Sequence, residues 1–193
     1  SIIEKKTLGD IYYVKKRVSY FNIRDDWQSQ KKNLGGIENA VLIHHIDQIL
    51  NLFGSNYKIL NVFKKKLISK GNANDFIKVI FRINKIIFEL EASWCSAQDN
   101  KSNYWEIDGK KGSLWSLKKN NLYLKYFKNT KKIQKKEKDY SGSEKPLWIK
   151  KNFQLKEDQN STIYKYIYNL YKIIPHLKEL NKLIGMEKLK VSR

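Results

Sequence analysis

A glycine pair opens the stretch GGIENAVLIHHIDQILNLFG, which covers residues 35–54. Apolar residues recur between the glycines at the spacing of an amphipathic helix, and Gly54 follows the last of them. Glycine suits both ends, because it tolerates the close approach and the positive φ found where helices start and stop. The pattern predicts a helix over residues 36–53 with this buried stripe: Ile37, Ala40, Val41, Ile43, Ile46, Ile49, Leu50 and Phe53.

The same helix carries a histidine and a carboxylate on one face. His44 and Asp47 are three residues apart, which makes them neighbours on a helix surface. An imidazole held there over a pocket can exchange a proton near neutral pH. An ordinary amphipathic helix with a polar edge explains the same spacing, and the spacing alone favours that explanation. His45 points about 100° away from His44, so we predict a structural or surface role for it.

Alternating residues on both sides of this helix predict strands. β-Branched and aromatic residues alternate with polar ones, and short Gly, Asn and Lys turns separate the runs. The predicted strands cover residues 11–21, 57–70, 75–83, 86–96, 104–108, 113–117 and 122–127. Successive strands with helices at the ends of the run predict an α+β fold, an open and mostly antiparallel or mixed β-sheet with helices packed on one face.

The remaining segments complete a single predicted domain over residues 1–193. Residues 1–8 are predicted to end a linker helix, and residues 22–34 to form a polar loop. Residues 128–151 are rich in lysine and predict a basic surface loop. Ser161 is a suitable N-cap for a C-terminal helix over residues 161–183.

Composition argues against a disordered chain and against a membrane partner. Hydrophobic residues make up 41% of the sequence and aromatic residues 13%, which is typical of a folded domain. Its apolar runs are far shorter than the roughly 20 residues that span a bilayer. Cys95 is the single cysteine, so we expect a buried, unreactive thiol, no internal disulfide and a cytoplasmic location. The three histidines lack a convincing set of metal-binding neighbours, so no metal is predicted.

The net charge of +20 raises the question of an anionic partner. The basic residues are mainly lysine, and arginine, which is preferred for bidentate phosphate contacts, occurs only at positions 17, 24, 82 and 193. Abundant Lys, Ile and Asn together are what an AT-rich coding bias produces. We therefore expect no nucleic-acid partner, although the charge would still favour an anionic substrate such as a nucleotide sugar.

Five segments in this order carry a more specific signal. They are IIEKKTLGDIYYV at residues 2–14, RDDW at 24–27, the helix at 35–54, FELEASW at 88–94 and IDGKKGSL at 107–114. Together they resemble the C-terminal domain of the Gfo/Idh/MocA family of NAD(P)-dependent oxidoreductases. The resemblance implies an open sheet whose free face packs against a second subunit, and we predict a homo-oligomer through that face. Four tryptophans are candidates for it or for ordinary core positions: Trp94, Trp105, Trp115 and Trp148.

The resemblance also implies NAD or NADP as cofactor, bound by a Rossmann domain. This sequence has no G-x-G-x-x-G turn after a strand, and we treat Glu144-Lys145-Pro146, which spells the family's Glu-Lys-Pro motif in a polar C-terminal stretch, as a coincidence. We therefore expect the second domain alone, as a fragment, a separately expressed domain or a split gene product. It would work with a Rossmann domain in cis or in trans and be inactive by itself.

Several site residues follow from the resemblance. His44 takes the place of the family's histidine that faces the nicotinamide across the substrate. Arg24 and Trp27 would bind an anionic group and a sugar face, and Asp47 would orient His44. Asn39 lies one residue from the position at which members acting on nucleotide-linked sugar acids carry Asn.

Two departures complicate that assignment. Ala40 and Leu42 stand where many members have Asp and Gly. Three hypotheses therefore remain open: the substrate-binding half of a sugar or sugar-nucleotide dehydrogenase, a degenerate non-catalytic scaffold or binding subunit, and a basic nucleic-acid-binding domain.

Overall fold

The structure, a computed structural model, describes residues 7–98, 103–118, 121–128 and 146–154. Strands dominate this part of the chain. They are β1 (Ile11–Ser19), β2 (Tyr57–Lys65), β3 (Phe76–Ile83), β4 (Ile86–Ser93), β5 (Asn103–Gly109), β6 (Gly112–Lys118), β7 (Asn121–Tyr126) and β8 (Ile149–Gln154). These eight described strands form one sheet in the order β2-β3-β4-β1-β5-β6-β7-β8.

Neighbouring strands are antiparallel except for the central pair, β1 and β4, which is parallel. The chain leaves β1, passes through the helical segment, β2 and β3, and returns as β4 beside β1. The α+β prediction of an open, mostly antiparallel mixed sheet is confirmed.

A helical segment packs on one face of this sheet. It begins as a π-helical turn, Glu38–Leu42, and continues as α1 (Ile43–Phe53). Phe53 of α1 meets Phe88 of β4 edge to face, with ring centroids 5.1 Å apart. The strands alternate buried and half-buried residues, as expected when one face is covered. The core therefore lies between α1 and the sheet and includes Val14, Ile46, Ile49, Val79, Phe81 and Leu90.

The opposite side of the sheet, which we call the outer face, is polar and rich in ion pairs. It carries the side chains that alternate with the core residues, among them Lys15, Arg17, Glu89, Glu91, Glu106 and Trp115. Trp94 and Trp105 are buried instead, as core positions. Trp148 is 43% exposed just before β8.

Several predicted boundaries differ in the structure, and the strands predicted over 11–21 and 86–96 end at Ser19 and Ser93. The helix predicted over 36–53 begins with the π-helical turn, and the strand predicted over 57–70 ends at Lys65. Thr7 and Leu8, the last two residues of the predicted linker helix, form a turn. The basic loop predicted over 128–151 is corrected at its C-terminal end, because Ile149 begins β8. Residues 1–6, 129–145 and the helix predicted over 161–183 lie outside the described residues.

Candidate functional site

The glycine pair places the helical segment against the loop that follows β1. A Cβ atom at Gly35 would lie 2.3 Å from the carbonyl oxygen of Gln28, so only glycine fits that approach. Gly36 has a φ of 112° and donates its N–H to the same carbonyl, at 2.7 Å. These contacts fix where α1 starts and therefore which of its side chains reach solvent.

His44 is exposed on α1, while Asp47 is half-buried and Asn51 is buried. Burial raises the pKa of Asp47, and a hydrogen bond from Asn51 together with the nearby charge of His44 partly opposes that rise. Asn51, Asp47 and His44 lie on one side of the helix, in that order from the core to solvent. This side of α1 offers a solvent-facing imidazole beside a carboxylate, the arrangement needed to exchange a proton with a bound hydroxyl.

His45 faces the sheet instead. Burial and the charge of Lys16 lower the pKa of His45 to about 3, although a hydrogen bond with Gln48 opposes them. Lys16 of β1 is 1% exposed, and its ammonium lies 4.4 Å from the ring centroid of Trp105. The imidazole is therefore neutral at pH 7, and its place in the structure agrees with the predicted structural role.

Asn39 joins the start of the helical segment to the loop that precedes it. Its amide nitrogen donates to the carbonyl oxygen of Leu34 at 2.8 Å and lies 3.4 Å from that of Gly35. The predicted contact of Asn39 with substrate stays a prediction.

Arg24 and Trp27 lie in the loop between β1 and the helical segment. The Arg24 guanidinium pairs with Asp26 at 2.6 Å, hydrogen-bonds Gln28 and lies 5.2 Å from the ring centroid of Trp94. To bind a substrate anion it would have to exchange Asp26 for that anion. Trp27 is 60% exposed, so its ring is free to lie against a ligand.

Asn51 is the residue of this region that the sequence analysis missed. It is four residues after Asp47, and helical i, i+4 spacing pairs the two side chains. A search for polar partners one turn further along the predicted helix would have found it.

The Gly35–Gly36 pair does not fit a dinucleotide phosphate. Gly35 and Gly36 precede a helical segment, as the glycines of a phosphate-binding turn would. Backbone atoms of Gln28 fill the space beside Gly35, and a Cβ atom at Gly36 would lie 2.7 Å from a carboxylate oxygen of Glu38. A carboxylate there repels phosphate, so a dinucleotide would need other residues.

Within the described ranges, His, Cys, Asp and Glu side chains form no group of three or more suited to a metal ion. None of the helices among the described residues is long and apolar enough to cross a membrane.

Residues 1–115 of the 193 match a known family domain, described as the GFO/IDH/MocA C-terminal domain. This chain belongs to the Gfo/Idh/MocA family. A search of curated proteins finds no match to the sequence.

Solved structures of Gfo/Idh/MocA-type oxidoreductases share the fold. An NAD-binding protein from Listeria innocua matches with a TM-score of 0.64 and 16% identity over 96% of this chain and 57% of its own. An oxidoreductase from Erwinia carotovora atroseptica matches with a TM-score of 0.64 and 14% identity over 96% of this chain and 56% of its own. The WlbA dehydrogenase from Bordetella pertussis was solved with NADH and UDP-GlcNAcA. It matches with a TM-score of 0.52 and 14% identity over 98% of this chain and 48% of its own.

This Gfo/Idh/MocA chain spans about half the length of these proteins. The match of fold and domain confirms the predicted family. At these identities the structural likeness establishes the fold alone, so substrate, cofactor and partners are matters for proposal.

Proposed function

We propose that this chain is the substrate-binding and oligomerisation domain of an NAD(P)-dependent sugar or sugar-nucleotide dehydrogenase. The observation that carries the proposal is the exposed imidazole of His44, beside the half-buried Asp47, on the helix of a Gfo/Idh/MocA C-terminal domain. UDP-GlcNAcA in the WlbA dehydrogenase supports a nucleotide-linked sugar as the class of ligand.

In this proposal His44 exchanges a proton with the substrate hydroxyl that is oxidised. The charge of the Asp47 carboxylate interacts with the imidazole of His44. Asn51 hydrogen-bonds Asp47 from the buried side of the helix. The exposed ring of Trp27 would lie against a sugar face. Arg24 and Asn39 have structural contacts of their own, and a role for them with substrate would come in addition.

NAD or NADP would be bound by a Rossmann domain in cis or in trans. The glycine pair supports this assignment, since a carboxylate oxygen of Glu38 lies beside Gly36 and would repel a phosphate. Without that domain we expect the chain to be inactive.

A degenerate, non-catalytic subunit is the second candidate. It is favoured by Ala40 and Leu42, which replace polar or small residues of the family pattern. Leu42 is fully buried, however, so its side chain faces the core and adds no bulk to a pocket on the exposed side of the helix. Leu42 is therefore weaker evidence for a degenerate subunit than the family pattern alone suggests.

We propose a homo-oligomer through the outer face, because α1 packs on the opposite face of the sheet and does not cover it. The single free thiol, Cys95, is consistent with the cytoplasmic location that we propose. No nucleic-acid partner is part of this proposal.

Isothermal titration with a panel of nucleotide sugars, free sugars, NADH and NADPH tests the function. We expect a nucleotide sugar to bind and neither dinucleotide to bind. His44→Ala should weaken sugar binding by about tenfold or more, which corresponds to about 1.4 kcal/mol. His45→Gln is the matched control, because His45 faces the core and should not touch the ligand.

Equal loss of binding in both histidine variants would show that the helix, rather than His44, carries the effect. Absence of sugar binding in the unmodified chain, also after a Rossmann domain is supplied, would favour the degenerate subunit.

A further inference from the structure

The guanidinium of Arg24 lies over a buried aromatic ring. Trp94 is 1% exposed, and its indole N–H donates to the hydroxyl oxygen of Tyr20 at 2.8 Å. The central carbon of the Arg24 guanidinium is 5.2 Å from the centroid of the Trp94 ring. An arginine binds well over an aromatic ring, because the ring face carries negative potential and the guanidinium is weakly hydrated. Trp94 therefore holds Arg24 in place without using any of its hydrogen-bond donors.

The Asp26 carboxylate occupies one edge of this guanidinium with both of its oxygens. Oδ1 accepts a hydrogen bond from Nε of Arg24 at 3.2 Å, and Oδ2 lies 2.6 Å from Nη2. Two parallel contacts of this kind are the geometry in which arginine binds a carboxylate or a phosphate. Asp26 thus shows that an oxyanion fits at this edge of Arg24.

The ion pair between Arg24 and Asp26 is open to solvent. The Arg24 side chain is 21% exposed and that of Asp26 is 46% exposed. An ion pair that water reaches is weak, because solvent screens its charges. An oxyanion that arrives from solution can therefore compete with Asp26 for the same nitrogen atoms.

Both residues keep other contacts when the pair opens. Asp26 is the N-cap of a short helical turn, Trp27–Ser29, and its Oδ1 accepts the backbone N–H of Gln28 at 3.0 Å. Arg24 keeps its place over Trp94 and its hydrogen bond to the side-chain oxygen of Gln28. An exchange of partners at Arg24 therefore breaks one ion pair and leaves these contacts intact.

We propose that Asp26 occupies, as an internal carboxylate, an oxyanion subsite at Arg24, and that a carboxylate or phosphate group of the ligand binds there by displacing it. This inference rests on the proposed function and adds a means of regulation to its site. Trp27 follows Asp26 in the capped turn, and its exposed ring can contact a sugar at the same time. A sugar acid or a sugar phosphate carries both groups, whereas a neutral sugar offers no charge to Arg24.

Nuclear magnetic resonance of the Arg24 Nε–H in the 193-residue chain tests the exchange. Arginine occurs at four positions, so the spectrum of Arg24→Gln identifies the signal. The chain is titrated in turn with sodium glucuronate, inorganic phosphate and glucose. We expect an oxyanion to shift the Arg24 signal in a saturable way and glucose to leave it unchanged.

Asp26→Asn should tighten the binding of that oxyanion about fivefold, because the competing charge is gone while asparagine still caps the turn. Asp25→Asn is the matched control, since it removes the same charge from the neighbouring residue, whose carboxylate pairs with Lys70 at 2.7 Å. It should change the affinity by less than about twofold, because exposed charges act weakly at a distance. Asp26→Ser, which also keeps a capping oxygen, repeats the test if the asparagine variant does not fold.

The two oxyanions distinguish the source of the charge. A response to glucuronate assigns a sugar carboxylate, a response to phosphate assigns a phosphate group, and either one with the gain in Asp26→Asn supports displacement of Asp26. An affinity unchanged by Asp26→Asn, or raised equally by Asp25→Asn, overturns the internal competitor. Absence of any oxyanion response at Arg24, both in the unmodified chain and in Asp26→Asn, overturns the subsite, while the titration with nucleotide sugars still decides the proposed function.

Discussion

Asp75 organises the loop after β2 through a fully buried carboxylate. Its two oxygens accept the backbone N–H groups of Leu67, Ile68 and Ser69, each at 2.7 Å. Burial alone would raise the pKa of Asp75, but these hydrogen bonds outweigh it and lower the pKa below its usual value. The carboxylate therefore replaces the strand pairing that the sequence pattern extended to residue 70.

Replacing this carboxylate should unfold the chain more easily. Asp75→Asn exchanges one acceptor oxygen for an N–H donor that faces a backbone N–H, so we expect a loss of about 2 kcal/mol in the free energy of unfolding. Urea denaturation followed by circular dichroism measures it. Asp25→Asn, on an exposed loop, is the control and should change stability by less than about 0.5 kcal/mol. Equal effects of the two substitutions would contradict the role given to Asp75.

At the scale of elements, α1 sorts two neighbouring histidines into opposite environments. His44 is exposed, whereas His45 lies against the sheet near Lys16 and contacts Gln48 at 3.3 Å. One residue of helix turns a side chain by about 100°, which is enough to move it from solvent to core. The chemistry proposed for His44 and the packing of His45 are therefore separable by mutation.

Acid should destabilise the fold through His45. Its pKa is lowered to about 3 in the folded chain, mainly by burial, so the unfolded state takes up the proton first as pH falls below about 6.5. We expect the unmodified chain to lose about 2 kcal/mol more stability than His45→Gln between about pH 7.5 and pH 5.0. Urea denaturation at both pH values measures the difference, and an identical pH dependence of the two proteins would refute it.

At the scale of the whole molecule, cross-strand ion pairs hold the outer face of the central strands. The Glu89 carboxylate on β4 meets Lys15 of β1 at 3.2 Å, Lys78 of β3 at 2.8 Å and the Tyr13 hydroxyl at 2.9 Å. Burial raises the pKa of Glu89, but hydrogen bonds from Lys78, Tyr13 and Lys15 bring it down to about 2. Glu89 thus links three neighbouring strands on the face opposite the core.

Removing this charge should weaken the sheet in a pH-dependent way. Glu89→Gln should lose roughly 1 kcal/mol at pH 7, a modest value because the pairs are partly solvated. A carboxylate with a lowered pKa stabilises the fold above its unfolded pKa, so this loss should vanish as pH falls from about 4.5 to about 2. Unfolding curves across that range test it. Glu91→Gln, which removes one pair with Arg17, is the matched control and should cost less.

The sequence predicted the sheet and its helix well because their signals are local. Alternation of apolar residues marks seven of the eight described strands to within a few residues, and 3.6-residue spacing marks α1. β8 was missed because IKKNFQ carries three polar residues in succession and forms a half-exposed edge strand. The spacing placed His44 and Asp47 on one side of the helix, and their roles, which the family resemblance implies, stay predictions.

The sequence by itself determined the fold class, the family and the helix that carries His44, since periodicity and short motifs depend on neighbours along the chain. Tertiary structure alone decided the parallel pairing of β1 with β4, the placement of His45 rather than His44 against the sheet, and the charged character of the outer face. It also placed the Arg24 guanidinium beside the ring of Trp94. Each of these depends on residues that meet only after folding, and a local pattern holds no information about them.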